Sequence, residues 1–322
     1  MAQITIVIPY ILEYPSILFT IRNIYEELKD FDTEICVGDN WCGEIEEQGQ
    51  KPDRAHRHLQ NGEMVSSCLE TMTQQNSWLK YFKYDVCLSH WQVKNHIIHN
   101  TTSPYIMFMD AHCMASRGSL SAAFEHYLLN EQYLDGTLSC PLTYDILGNK
   151  KLVYKLVYDK MLGKCDYTFM PMPDTKEVTL QVPTMSSCGL IVSRKIFNLL
   201  IDFPQQYMYS GGEHYLFQSL AVLGKKMWIF NGNPLHHHGE KRGYTTNFIK
   251  WHINRAISCY CMGEDWFKNY IDNIGCIVPL CHKSLIADMA TEQAQYHAKH
   301  INKHKIMSIE EAMLPWITNN TY

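Results

Sequence analysis

The first forty residues fix the kind of fold. Ile4-Thr5-Ile6-Val7-Ile8-Pro9 is a short β-branched run, the pattern of a strand buried on both faces. From Ser16 to Leu28 the apolar residues Ile17, Leu18, Ile21, Ile24, Tyr25 and Leu28 recur at helical spacing, with Ser16 in the N-cap position. Thr33 to Val37 is apolar again and is closed by Gly38-Asp39-Asn40. Strand, helix and strand in so short a span make a βαβ unit, with parallel strands and a right-handed crossover.

The same pattern continues along the chain. Residues 43–82 are polar and read as a long loop with one helix around Val65 to Thr73. The spacing predicts further helices over Gln92–Asn100, Ser119–Asn130, Arg194–Leu200 and from Gly211 to about Leu223. It predicts strands at Tyr105–Met109, Thr137–Leu142, Thr179–Val182, Cys188–Val192 and Lys226–Phe230. The segment before Thr179 reads as a variable insertion, and the chain beyond Tyr244 as largely helical. The expectation is an α/β domain with a mostly parallel central sheet over 1–245. A helical extension over 246–322 packs on it.

Composition argues by exclusion. With 46% hydrophobic and 19% charged residues the chain is too apolar to be disordered. A net charge of −5 gives no overall basic character for holding nucleic acid. The run His297, Lys299, His300, Lys303, His304 and Lys305 is either a local basic patch or a solvated helix face. No apolar run reaches the roughly 18–20 residues a membrane helix needs. The start, Met1 to Pro9, reads as the first strand and not as a signal peptide. The twelve cysteines are scattered and read as free thiols in a reducing compartment. These features assign the chain to the cytoplasm, with no membrane span and no obligate protein partner.

In α/β folds ligands bind beyond the carboxyl ends of the strands. That rule singles out Asp39 and the run Phe108-Met109-Asp110-Ala111-His112-Cys113. A carboxylate and an imidazole two apart at a strand end offer oxygen and nitrogen to a divalent ion such as Mn²⁺ or Mg²⁺. The same pair also fits a turn-capping Asp beside an incidental His. His236-His237-His238 follow the strand Lys226–Phe230, as a third metal ligand or as surface histidines. Gly211-Gly212-Glu213 places a carboxylate where a helix begins. It serves a ligand there, or simply the helix dipole.

Taken in order, these motifs resemble those of family 2 glycosyltransferases with the GT-A fold, and among them the polypeptide N-acetylgalactosaminyltransferases. The resemblance rests on Val7-Ile8-Pro9, Val37-Gly38-Asp39, Asp110-Ala111-His112-Cys113, Cys188-Gly189-Leu190-Ile191-Val192-Ser193-Arg194, Ser210-Gly211-Gly212-Glu213 and His236-His237-His238. It spans about residues 4–245. Ala111 stands where the family has Ser, and Ser210 where it has Trp. Gly38 stands where the first of two acidic residues often lies.

The resemblance implies roles. Asp110 and His112 would bind the metal with His237 or His238. Pro9, Asp39, Lys94 and Asn95 would lie on the nucleotide side, with Asp39 on the base. Glu213 would face the sugar or the acceptor hydroxyl. Glu240 to Tyr244 would close over the donor, with Arg242 reaching the phosphates and Tyr244 beside it. The implied activity is metal-dependent transfer of a sugar from a nucleotide-diphosphate donor, with retention. The acceptor is a protein, a glycan or a hydroxymethylated base in viral DNA. A nucleotidyltransferase would need a Gly-rich basic loop after the first strand, and Pro9 to Tyr14 contains neither glycine nor Lys/Arg. A non-catalytic relative would have lost a metal ligand, and all candidates are present.

Overall fold

In a computed structural model, residues 2–40, 52–85, 88–145, 147, 150–204, 212–238, 248–274 and 278–318 are described, except 12 and 14. The chain opens with β1 (Ile4–Tyr10), α1 (Ser16–Leu28), β2 (Thr33–Asp39), α2 (Pro52–Gln75), β3 (Leu79–Lys83) and α3 (His90–His99). β4 (Tyr105–Phe108), β5 (Cys113–Ala115), α4 (Ser119–Leu134), β6 (Gly136–Ser139) and β7 (Leu142–Thr143) follow. Next come β8 (Leu152–Asp159), β9 (Lys164–Pro171), β10 (Thr179–Gln181), β11 (Leu190–Ser193), α5 (Arg194–Phe197) and α6 (Gly212–Val222). The chain then runs through β12 (Lys226–Phe230), β13 (Leu235–His237), α7 (Phe248–Met262), α8 (Glu264–Ile274), α9 (Leu280–His304) and α10 (Ile309–Thr318).

Eight strands form the main sheet in the order β10-β12-β6-β11-β4-β1-β2-β3. β1, β2, β3 and β4 are mutually parallel, as are β6 and β12, whereas β11 runs antiparallel between β4 and β6. Strand alternation divides the core in two. Ile4, Ile6, Ile8, Ile35, Val37 and Met107 face α1 and α4, and Val7, Cys36, Ile106 and Phe108 face the other way. Both faces are covered, which explains the unbroken apolar runs of the strands. On the second face lie α3, α6 and the C-terminal helices, where Phe217 and Leu220 share one core with Ile257, Trp266, Ile286 and Met313.

Three local readings change. Ser16 begins α1 but Pro15 precedes it, and no side chain caps the helix. The insertion before Thr179 is ordered: β8 and β9 form an antiparallel hairpin in a second sheet, β5-β13-β7-β8-β9. The expected strand Thr137–Leu142 breaks at Cys140-Pro141, and its halves, β6 and β7, belong to different sheets. No helix among the described residues is long and apolar enough to cross a membrane.

Candidate functional site

The ends of β1, β2 and β4 and the start of the antiparallel β11 meet at one edge of the main sheet. Pairing of Leu190 with Phe108 puts Ser186 and Ser187, just before β11, at the edge that Asp110 reaches just after β4. A cavity of about 320 Å³ opens there, lined among others by Pro9, Asn40, Trp91, Asp110, His112, Ser187, Glu213 and His237.

The second sheet selects among the three histidines. β13 pairs antiparallel with β5, setting His237 opposite Cys113 and His236 opposite Met114. Neighbouring side chains on a strand point to opposite faces. His237 therefore turns toward His112, with the two Nε2 atoms 3.2 Å apart, while His236 Nε2 meets Ser116 Oγ at 2.9 Å. His238 lies next to this cluster, and its backbone N–H donates to the His112 carbonyl at 3.1 Å. Asp110 Oδ2 is 3.3 Å from His237 Nε2.

These separations match the ligand-to-ligand edges around an ion bound at about 2.0–2.3 Å. Asp110, His112, Cys113 and His237 each bring one ligand atom within 4.8 Å of the others. The Cys113 thiol also meets that of Cys188 in the core, at 3.1 Å. One carboxylate and two imidazoles thus fit a divalent ion of the Mn²⁺ type. Burial would raise the Asp110 pKa, but the hydrogen bond with His237 and the electrostatic pull of His112, His237 and Lys94 outweigh it and hold the group below the usual carboxylate range.

Glu13 supports this cluster and was not singled out by the sequence. Its buried carboxylate accepts from His112 Nδ1 at 2.9 Å and from the Ile11 N–H at 3.2 Å. With Nδ1 donating, His112 turns the lone pair of Nε2 toward Asp110 and His237, as a carboxylate behind a metal-binding histidine commonly does. The Thr20 hydroxyl, from α1, lies 3.0 Å from the carbonyls of both Ala111 and Cys113 and fixes the backbone beneath His112.

Glu213 is held by three donors. Tyr167 gives its hydroxyl to Oε2 at 2.5 Å, and Ser187 gives its hydroxyl and its N–H to Oε1 at 2.8 and 3.2 Å. Burial first, and then the charge of Glu213, raise the Tyr167 pKa, so the phenol stays protonated and donates. Gly212 lets the start of α6 touch Trp91, where a Cβ would come within 2.1 Å of the indole. That close approach is to a protein ring, whereas the sequence suggested approach to a ligand.

The other candidates are placed as follows. Pro9 lines the cavity. Asp39 is buried beside it and accepts from Ser66 at 2.9 Å and from Tyr81 at 2.5 Å; its neighbour Asn40 lines the cavity. Lys94 is fully buried behind the floor, with Nζ 4.0 Å from the Trp91 ring centroid and 3.4 Å from Ser187 Oγ. Burial pushes its pKa down to about 8, against the opposing pull of Asp110 and Glu213. Asn95 forms two hydrogen bonds with the Phe203 backbone, at 2.8 and 3.0 Å. Gly211, Arg242 and Tyr244 lie outside the described residues.

No family model matches the sequence, and no curated protein matches it significantly. Solved structures do. A crystal structure of GalNAc-T7 with UDP, GalNAc and Mn²⁺ superposes with a TM-score of 0.70 at 12% identity, covering all of this chain and 57% of that one. The chain thus spans little more than half the length of that relative. A crystal structure of Staphylococcus aureus TarS residues 1–349 in complex with UDP-GlcNAc gives a TM-score of 0.53 at 12% identity, covering 97% of this chain and 92% of that one. The chain has the GT-A fold of the glycosyltransferases, in a form that resembles the N-acetylgalactosaminyltransferases.

Proposed function

We propose that this chain is a metal-dependent glycosyltransferase. It moves a hexosyl or N-acetylhexosaminyl group from a nucleotide-diphosphate donor, a UDP-sugar, to an acceptor hydroxyl. The observation that carries the reading is the convergence of Asp110, His112 and His237, beside Glu213, at the strand-end cavity of a GT-A fold. The ligands named for GalNAc-T7 and TarS, UDP and UDP-GlcNAc, support the choice of donor. Residues 1–245 are the catalytic unit in this reading, and 246–322 a helical extension packed on it.

Each residue then has a task. Asp110, His112 and His237 hold the ion, and Glu13 keeps His112 oriented. Bound there, a divalent cation would neutralise charge on the departing diphosphate. Pro9 and Asn40 border the nucleotide. Glu213, with three of its four lone-pair sites filled, has room for one further hydrogen bond, from a substrate hydroxyl. In the retaining reading Glu213 positions substrates and is not an obligate base. The acceptor proton then passes to the departing diphosphate on the same face of the sugar.

Asp110→Ala tests the reading. Sugar release from the donor should be abolished while circular dichroism and the melting transition stay in place. Full activity in that variant, or in excess chelator, would sink the proposal.

A further inference from the structure

Part of the cavity lining is an aromatic wall, built by Tyr144, just after β7, and by the β8–β9 hairpin. Tyr154 and Phe169 are register partners with ring centroids 4.5 Å apart. Tyr167, two residues before Phe169, lies 4.6 Å from Tyr154 at 80°. Tyr144 meets Phe169 edge-on at 5.5 Å and reaches His237 at 5.2 Å. The wall thus touches the metal-ligand cluster at one point and, through the Tyr167 hydroxyl, Glu213 at another.

Exposure is graded along it. Tyr154 is only 8% exposed, whereas Phe169 is 42% and Tyr144 50% exposed. Taking an aromatic ring out of water is favourable. Half-exposed rings that line a cavity therefore offer a contact surface to a ligand.

Charge narrows the choice of ligand. Among the described residues no lysine or arginine lines the cavity, and Lys94 is spent behind its floor. Among the described residues, a nucleic acid or other polyanion would find no counter-charge on the cavity lining and would face Glu213. What the wall offers is flat π-faces, bordered by the carboxylate of Glu213 and the hydroxyls of Tyr167 and Ser187. The weakly positive C–H groups on one face of a pyranose suit the negative face of an aromatic ring. The ring's hydroxyls suit the carboxylate and hydroxyl groups.

We propose that the acceptor is a neutral glycan, whose terminal pyranose stacks on Phe169 and Tyr144 and directs a hydroxyl inward past Glu213. This rests on the glycosyltransferase reading and names its acceptor class. The transfer forms a glycosidic bond from that hydroxyl oxygen to the anomeric carbon. The bond to the nucleotide diphosphate breaks, and the diphosphate leaves with the bonding pair and takes up the hydroxyl proton.

The test uses the full chain and defined probes. Methyl β-glucopyranoside, methyl α-mannopyranoside and the methyl glycoside of N-acetylglucosamine are compared with a threonine-containing peptide amide and a hydroxymethylated deoxyoligonucleotide. Saturation-transfer NMR reads binding, and a radiolabelled UDP-sugar with Mn²⁺ reads transfer. At least one glycoside should receive saturation on the protons of one ring face and should accept label. Phe169→Ala should weaken that glycoside's binding roughly tenfold, and Phe169→Trp should restore it. Tyr144→Ala, at a half-exposed position, should weaken it in the same way without risk to folding.

Label passing only to the peptide, the oligonucleotide or water overturns the proposal, as does glycoside binding indifferent to both alanine variants. Failure of the glycosyltransferase reading itself looks different: no UDP-sugar binds in the presence of Mn²⁺. That result removes both.

Discussion

Glu213 and Asp110 are both carboxylates at the cavity, yet their surroundings differ. Asp110 faces two imidazoles at ligand spacing, whereas Glu213 is enclosed by Tyr167 and Ser187. Glu213→Gln keeps the acceptor oxygen for Ser187 but cannot take a proton. With retention this variant should keep turnover within about tenfold of the parent, whereas removing an obligate base costs about 10²–10⁴-fold. Initial rates, with the anomeric coupling constant of the product, check this. A loss in the larger range with an inverted product would contradict it. Asp110, His112 and Glu213 were legible from sequence because motif order and strand ends point to them. Glu13 was not, because its role comes from a loop folding back 99 residues from its partner His112. No local pattern records such a pairing.

At the level of elements, strand alternation turns three consecutive histidines into unequal ones, and the β5–β13 register sets His237 toward the cluster. The sequence left that choice open because register belongs to the sheet. The β8–β9 hairpin read only as a variable insertion; its cross-strand pairs, Tyr154 with Phe169 and Leu156 with Tyr167, are likewise a matter of register. In the C-terminal helices, His252 on α7 and His297 on α9 are buried neutral. Burial lowers each pKa from 6.5 to about 4, with the Arg255 charge adding to it at His252. The unfolded chain therefore binds more protons than the folded one between these values. The stability they contribute is complete above pH 6.5 and is lost as the pH falls toward 4. Urea unfolding followed by far-UV circular dichroism should show this decline, and His297→Gln should flatten part of it. Stability that is level or rising as the pH drops from 6.5 to 4 would contradict the account.

For the whole molecule, the second core face is shared between the main sheet and the last four helices. Arg255 of α7 donates to Asp166 on β9 at 2.9 Å, and Asp166 also meets His214, beside Glu213, at 2.8 Å. A chain ending at residue 245 would expose Phe217, Leu220 and their neighbours and should aggregate on expression; a soluble fragment with a cooperative melt would refute this. The α/β class was accessible because both faces of the sheet write unbroken apolar runs; the strand order was not, because pairing is set by the fold. In the second sheet β5, β7 and β13 were not accessible either, since they are two or three residues long and β13 joins the other two over a long range. The central claim is that Asp110, His112 and His237 together hold the ion on which donor binding depends. The most direct measurement is an anomalous-difference map from crystals soaked with UDP and Mn²⁺. A manganese peak about 2.0–2.3 Å from Asp110 Oδ2, His112 Nε2 and His237 Nε2, with the diphosphate against it, is the predicted result. UDP bound with no manganese peak at these three residues would contradict it.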